Sequence, residues 1–293
     1  MVDSLNRSQV EDRQQIRKEI WTYLALTLAF SSVPYGAILY TGTLEAWDGL
    51  AVFCLMWSPG VAALVTRILF HRSLRGMGWG WGGTRWQLMS YALPLAYAGA
   101  VYIPVWLLGW GEIDVRSLRL PAGLGLGDWP GEAVALVWLA AAGTVGMIGS
   151  SLSALGEEIG WRGLLVPQLA RLTTFTRTAL LSGVLWAAWH YPVLFFADYR
   201  STTPAWYAAL CFTVMVIGIS FAFAWLRLKS GSVWSGMLLH ASHNIFIQGF
   251  FDPLTNDTGP TEWLIGEFGA GLALVGALVG FLFWLKRGEV ERT

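Results

Sequence analysis

Eight stretches of roughly 20 apolar residues alternate with polar breaks along the chain, at 20–41, 49–70, 87–110, 133–156, 178–197, 205–226, 232–250 and 264–285. The breaks fall at Glu45 to Asp48, His71 to Arg85, Glu112 to Glu132, Arg162 to Arg177, Asp198 to Pro204, Arg227 to Gly231 and Asp252 to Glu262. A helix rising about 1.5 Å per residue needs about 20 apolar residues to cross the hydrocarbon layer of a bilayer. The pattern therefore predicts an all-α polytopic membrane protein of about eight transmembrane helices. They form one bundle around an intramembrane cavity. Residues 1–19 read as a cytosolic N-terminal segment, 20–287 as the transmembrane domain and 288–293 as a cytosolic tail.

Met1 to Glu19 is polar before the first apolar run begins, which argues against a cleavable signal peptide. Within it Ser8-Gln9-Val10-Glu11 fits a capping box, so this segment reads either as a short helix leading into the first span or as a solvated tail. Pro34, Pro59, Pro94 and Pro104 fall inside spans, where neighbouring helices tolerate a kink. Gly276-x-x-x-Gly280 in the last span predicts close internal helix packing.

Composition strengthens this picture. With 55% hydrophobic residues, 13% charged residues and 18 tryptophans, the chain lies in the membrane class, and its mean hydropathy is +0.52. The formal net charge is zero and no basic block occurs, so nothing points to nucleic acid. Cys54 and Cys211 both lie in apolar runs, where thiols pack rather than pair. Sixteen of the 19 Lys and Arg residues fall on one side of the predicted bundle, leaving Arg116, Arg119 and Arg200 on the other. By the positive-inside rule both termini are cytosolic and the cavity opens toward that side. The setting expected is a bacterial or archaeal inner membrane.

The candidate chemistry lies in three of the apolar runs. Ionisable groups in or beside a bilayer core are costly and are functional candidates by default. Glu157-Glu158 and Arg162 stand at the end of the fourth run, His190 in the fifth, and His240 with Asn244 in the seventh. Residues four apart share a helix face, so Glu158 can pair with Arg162 while Glu157 points elsewhere, and His240 and Asn244 face the same side. A carboxylate can deprotonate water, a histidine can share that proton, and His and Asn donors can stabilise an oxyanion. A single histidine in a span is as often a packing residue, and two glutamates at a helix end read equally well as interfacial charge. The conjunction on three spans is what argues for a site. His243 points off the His240–Asn244 face and reads as a bystander, and His71 reads as a surface residue.

Glu157-Glu158-x-x-x-Arg162, Trp186-x-x-x-His190 and His240-x-x-x-Asn244 resemble, in that order, the three motifs of the CAAX-protease and bacteriocin-processing family of intramembrane proteases. Trp161-Arg162-Gly163-Leu164-Leu165-x-Pro167 is similar to the family's extended first motif, and the resemblance covers about residues 130–250. It implies that Glu157 activates a water with help from His190, that His240 and Asn244 form the oxyanion site, and that Glu158 and Arg162 support the architecture. Trp186 stands where the family pattern usually has phenylalanine, which bears on the shape of a substrate pocket. The partners implied are the bilayer and a membrane-associated peptide or protein. Prenylated C-terminal tails are one substrate class within the family.

Other protease signatures find less support. Gly125-Leu126-Gly127-Asp128 matches a string of intramembrane aspartyl proteases, but it falls in a loop and no aspartate lies inside a span to partner it. No Gly-x-Ser-x-Gly elbow, His-Glu-x-x-His pair or Walker loop occurs. Glu157, His190 and His240 are the set that would hold a Zn²⁺ ion if one were used, although Asn244 suits hydrogen bonding better than zinc. A proton-coupled transporter and a non-catalytic scaffold or immunity protein remain alternative readings of the same buried groups. One tension is left. With the fourth span ending near residue 156, His190 lies about 16 Å and His240 about 12 Å inside the boundary, while Glu157 sits at the interface.

Overall fold

The computed structural model describes residues 2–118 and 129–291. Within them the chain is an integral membrane protein of helices, with a single two-stranded antiparallel pair, β1 (Glu112–Ile113) on β2 (Thr255–Asn256). Six helices are long and apolar enough to cross a bilayer. Five of these are α1 (Val2–Thr41), α2 (Leu50–His71), α3 (Thr84–Leu107), α5 (Phe175–Phe196) and α6 (Ala205–Ser230). The sixth, α4 (Gly131–Leu172), is continuous through two π-helical stretches, Ala142–Gly146 and Ile159–Leu165. The two remaining predicted spans are shorter. In α7 the helix Val233–His243 continues as the π-helical segment Asn244–Phe251, and α8 is Ala270–Leu285.

Two expectations are corrected. Helix α1 already runs from Val2, so the Ser8–Glu11 stretch lies within the helix and does not mark its start. The fourth span does not stop at residue 156 but extends to Leu172, because the costly Glu157, Glu158 and Arg162 find buried partners inside the bundle instead of marking a helix end. His71 is exposed, as expected of a surface residue, and its Nε2 lies 2.6 Å from Glu19 Oε1, while Glu19 Oε2 accepts from Gln168 Nε2 at 2.5 Å. That contact ties α1 to α2 and α4. The Gly125–Asp128 string lies outside the described residues.

Short connections set the helix order. Thr174 caps α5 by accepting from the Arg177 N–H, one residue past the Thr173 that ends α4, so the two helices form a tight hairpin. Gly231 closes α6 in the left-handed conformation at φ 69°, and Ser232 caps α7 by accepting from Trp234 N–H. Helix α6 packs on both α5 and α8, α1 on α2, and α3 on α7. At the α6–α8 crossing a methyl group on Gly218 would lie 2.3 Å from the Gly276 carbonyl oxygen, and one on Gly280 2.7 Å from that of Gly218. Glycine is required there, and the expected internal packing of Gly276 and Gly280 is what forms. Cys211 is buried in α6 and Cys54 exposed on α2, both as free thiols. The four prolines noted above lie within α1, α2 and α3.

Candidate active site

The α4–α5 hairpin removes the depth mismatch. Glu157 stands 15 residues before the end of α4 and His190 stands 15 after the start of α5, so both lie about 22 Å from the turn. His240 comes in from α7, which starts at Val233. The side chains of Glu157, His190, His240 and Asn244 line one cavity of about 160 Å³, whose walls are otherwise mostly apolar, including Leu55, Met215 and Ile219.

The adjacent glutamates have opposite environments. Glu158 is fully buried. Its Oε1 accepts from Arg162 Nη1 at 2.8 Å and from His240 Nδ1 at 3.0 Å. The Glu158 to Arg162 pair expected from their spacing of four therefore forms, and it anchors His240 as well. The Arg162 guanidinium lies against the rings of Trp186 and Phe223, at 4.2 and 3.8 Å from their centroids, so its charge is met by aromatic faces as well as by the carboxylate. Gly236 on α7 makes room for this pair, since a methyl group there would come within 2.6 Å of Glu158 Oε2.

Glu157 points round the helix, as one residue of rotation dictates. Its Oε2 accepts from Trp186 Nε1 at 2.7 Å and from Trp161 Nε1 at 3.3 Å. Its Oε1 accepts no hydrogen bond from the described residues and, unlike Glu158 Oε2, is not sealed away from the cavity that Glu157 lines. The π-helical turn from Ile159 to Leu165 begins just after these carboxylates and carries Trp161 and Arg162, each still reaching the glutamate four residues back. Such bulges re-aim side chains within an otherwise regular helix.

The tautomers of the histidines follow from their partners. His190 Nδ1 lies 2.9 Å from the Trp186 carbonyl oxygen, which only accepts, so Nδ1 carries the proton and Nε2 holds a lone pair when the ring is neutral. His240 Nδ1 faces a carboxylate oxygen and is a donor for the same reason. Aromatic edges hold both rings: Trp189 and Phe212 pack on His190, and Trp186 and Phe223 on His240. Trp186 was read from the sequence as a substrate contact. It touches Glu157, Arg162 and both histidine rings.

The far end of the cavity holds a second polar group that the motifs do not contain. His243, read as a bystander, is buried and lines the cavity with its Nδ1 at Tyr97 Oη and its Nε2 2.8 Å from Glu267 Oε1. Glu267 Oε2 accepts from Tyr199 Oη at 2.7 Å and from Gln248 Nε2 at 2.9 Å. Tyr199 in turn stacks on the His190 ring, with centroids 5.8 Å apart. These residues come from α3, α7 and two connections, and nothing in their spacing could have grouped them. The one available signal was the presence of a lone Glu267 inside the eighth apolar run.

Among the described residues no three His, Cys, Asp or Glu side chains form a group able to share a metal ion. Hydrogen bonds to Glu157 Oε2 and from the Nδ1 atoms of His190 and His240 fix these three side chains and leave Glu157 Oε1 and the two Nε2 atoms without a partner among the described residues.

Comparison with known proteins bears out the resemblance seen in the motifs. Residues 134–246 match the Rce1-like family, described as type II CAAX prenyl endopeptidase Rce1-like. Over 82 residues the chain is 27% identical to the CAAX prenyl protease 2 of Methanococcus maripaludis. That stretch covers 27% of this chain and 30% of the relative, so the chain spans under a third of the curated protein it matches.

Proposed function

We propose that this chain is an intramembrane endopeptidase that hydrolyses a peptide bond in a membrane-associated protein or peptide by means of a glutamate-activated water. The observation that best supports the reading is the convergence of Glu157, His190, His240 and Asn244 from three helices on one cavity within the bundle. In this reading Glu157 takes a proton from water as the water oxygen bonds to the scissile carbonyl carbon. His190 shares that proton through Nε2, its Nδ1 being held by the Trp186 carbonyl. His240 and Asn244 donate to the oxyanion. To donate from Nε2, His240 carries a second proton, and the Glu158 carboxylate at its Nδ1 balances the resulting charge. When the C–N bond breaks, the proton passes to the leaving amine. Glu158 and Arg162 are the supporting pair, and the membrane domain of residues 20–287 is the catalytic unit.

The charge distribution supports cytosolic termini and entry of water from the cytosolic side. The relative is named for CAAX prenyl substrates, and prenylated C-terminal tails, one substrate class of the family that the motifs resemble, are one candidate class for this chain. The test compares protein termini in host membranes containing wild type or E157Q at matched abundance. Termini that require wild type establish proteolysis and give the cleaved sequence. Coincident profiles under several growth conditions would overturn the proposal and favour transport or scaffolding.

A further inference from the structure

We propose that Trp186, assisted by Trp161, is a positioning residue that clamps Glu157 through Oε2 and leaves Oε1 as the single oxygen that takes the proton of water. This deepens the protease reading and rests on it. A carboxylate at the end of a flexible side chain ordinarily exchanges its two oxygens by rotation about the last bond, a torsion with broad wells. Here two buried indole N–H donors converge on the same oxygen, at 2.7 and 3.3 Å. Any rotation away from this orientation short of a half-turn would break both bonds and leave two donors unpaired in a buried place, which is costly, so one oxygen stays in the clamp and the other faces the cavity.

The geometry of Trp186 makes it the stronger of the two donors and the better fixed. Its ring is pinned by the Arg162 guanidinium on one face, 4.2 Å from the centroid, and meets Phe223, His190 and His240 edgewise. It stands one turn before His190, and its own carbonyl holds His190 Nδ1. A single residue thus orients both the proton acceptor and its histidine partner, the first by its side chain and the second by its backbone. A phenylalanine at this position keeps the second function and loses the first. In the step assigned to Oε1, one O–H bond of water breaks, the proton goes to Oε1, the water oxygen's electron pair forms the bond to the carbonyl carbon, and the carbonyl π bond opens to leave its electron pair on the carbonyl oxygen. No electron is gained or lost.

The experiment replaces Trp186 with 3-benzothienylalanine, in which a sulfur takes the place of the indole N–H at nearly constant shape, with W186F as the genetic counterpart. The carboxylate stretching band of Glu157 is first assigned as the infrared band lost in E157Q. We expect that band to shift on loss of the Trp186 N–H. Turnover of a peptide bearing the sequence cleaved in membranes should fall about 10- to 100-fold with KM within about twofold, the cost of a misdirected reacting group. W161F should move both readouts in the same direction by less. An unmoved band overturns the clamp, and a moved band with unchanged turnover overturns its role in positioning. The band is read whether or not wild type cleaves anything, so failure of the protease reading shows as absent turnover in wild type while the clamp is still decided.

Discussion

The two ends of the cavity are built in different ways. At one end, Glu157 with Trp161, Glu158 with Arg162, and Trp186 with His190 are all partners four residues apart on a helix. At the other, Tyr97, Tyr199, His243, Gln248 and Glu267 meet across 19 to 146 residues of chain, on helices and connections alike. Their chemistry differs as well. At the first end Glu157 Oε1 has no protein partner and is open to the cavity, while the unpartnered Glu158 Oε2 is sealed away, whereas both oxygens of Glu267 are taken by His243, Tyr199 and Gln248. A carboxylate saturated by its neighbours holds structure, and one with an open oxygen is free to accept a proton. Burial alone does not distinguish them, since both are almost fully buried.

The sharpest way to break this comparison is to remove each charge in turn. E157Q should lower turnover by about 10²- to 10⁴-fold, the contribution of a positioned general base. E267Q should leave turnover within about tenfold while lowering the melting temperature. Abolition of turnover by E267Q in a folded protein would make the second end catalytic and end the distinction. E158Q tests the supporting pair. It leaves Arg162 and His240 without their carboxylate and should cost about 3 to 5 kcal/mol of stability, read by thermal unfolding in detergent.

Asp252, just past α7 and beside the second end, gives the pH dependence. Burial pushes its carboxyl up to about 7, with the charge of Glu267 adding to that and a hydrogen bond from Tyr102 opposing it. Between its unfolded value near 4 and about 7, the folded state binds more protons than the unfolded one. Its contribution to stability is therefore full below about pH 4, is lost as pH rises toward 7, and is constant above that. D252N should flatten the fall in melting temperature between pH 5 and 7.5, and an unchanged slope would assign the dependence elsewhere. The smallest effect is expected from Y199F, which removes one hydrogen bond to Glu267 at a cost of about 1 kcal/mol and loosens the stack on His190.

Much of the molecule was legible before folding because a bilayer imposes a length on every apolar run. The positions of α1, α2, α3, α5 and α6 follow from that constraint, and the spacing of four announced the Glu158–Arg162 pair. The end of α4 was misread because charge was taken as a sign of the interface. Buried charge ends a helix only when it lacks partners, and here Arg162, Trp186 and His240 supply them from within the bundle. His71 is a surface residue as its sequence neighbours suggest, but its partner Glu19 stands 52 residues away and no local signal announces the pair.

The sequence by itself determined the membrane class, the approximate spans and the residues that form the motif end, since hydrophobic length and helical periodicity are local properties. Only the tertiary structure decided which oxygen of Glu157 stays open, that Trp186 is the group holding the other, and that His243 and Glu267 close the far end of the same cavity. Those facts depend on distances between side chains from different helices, and such distances are fixed by packing.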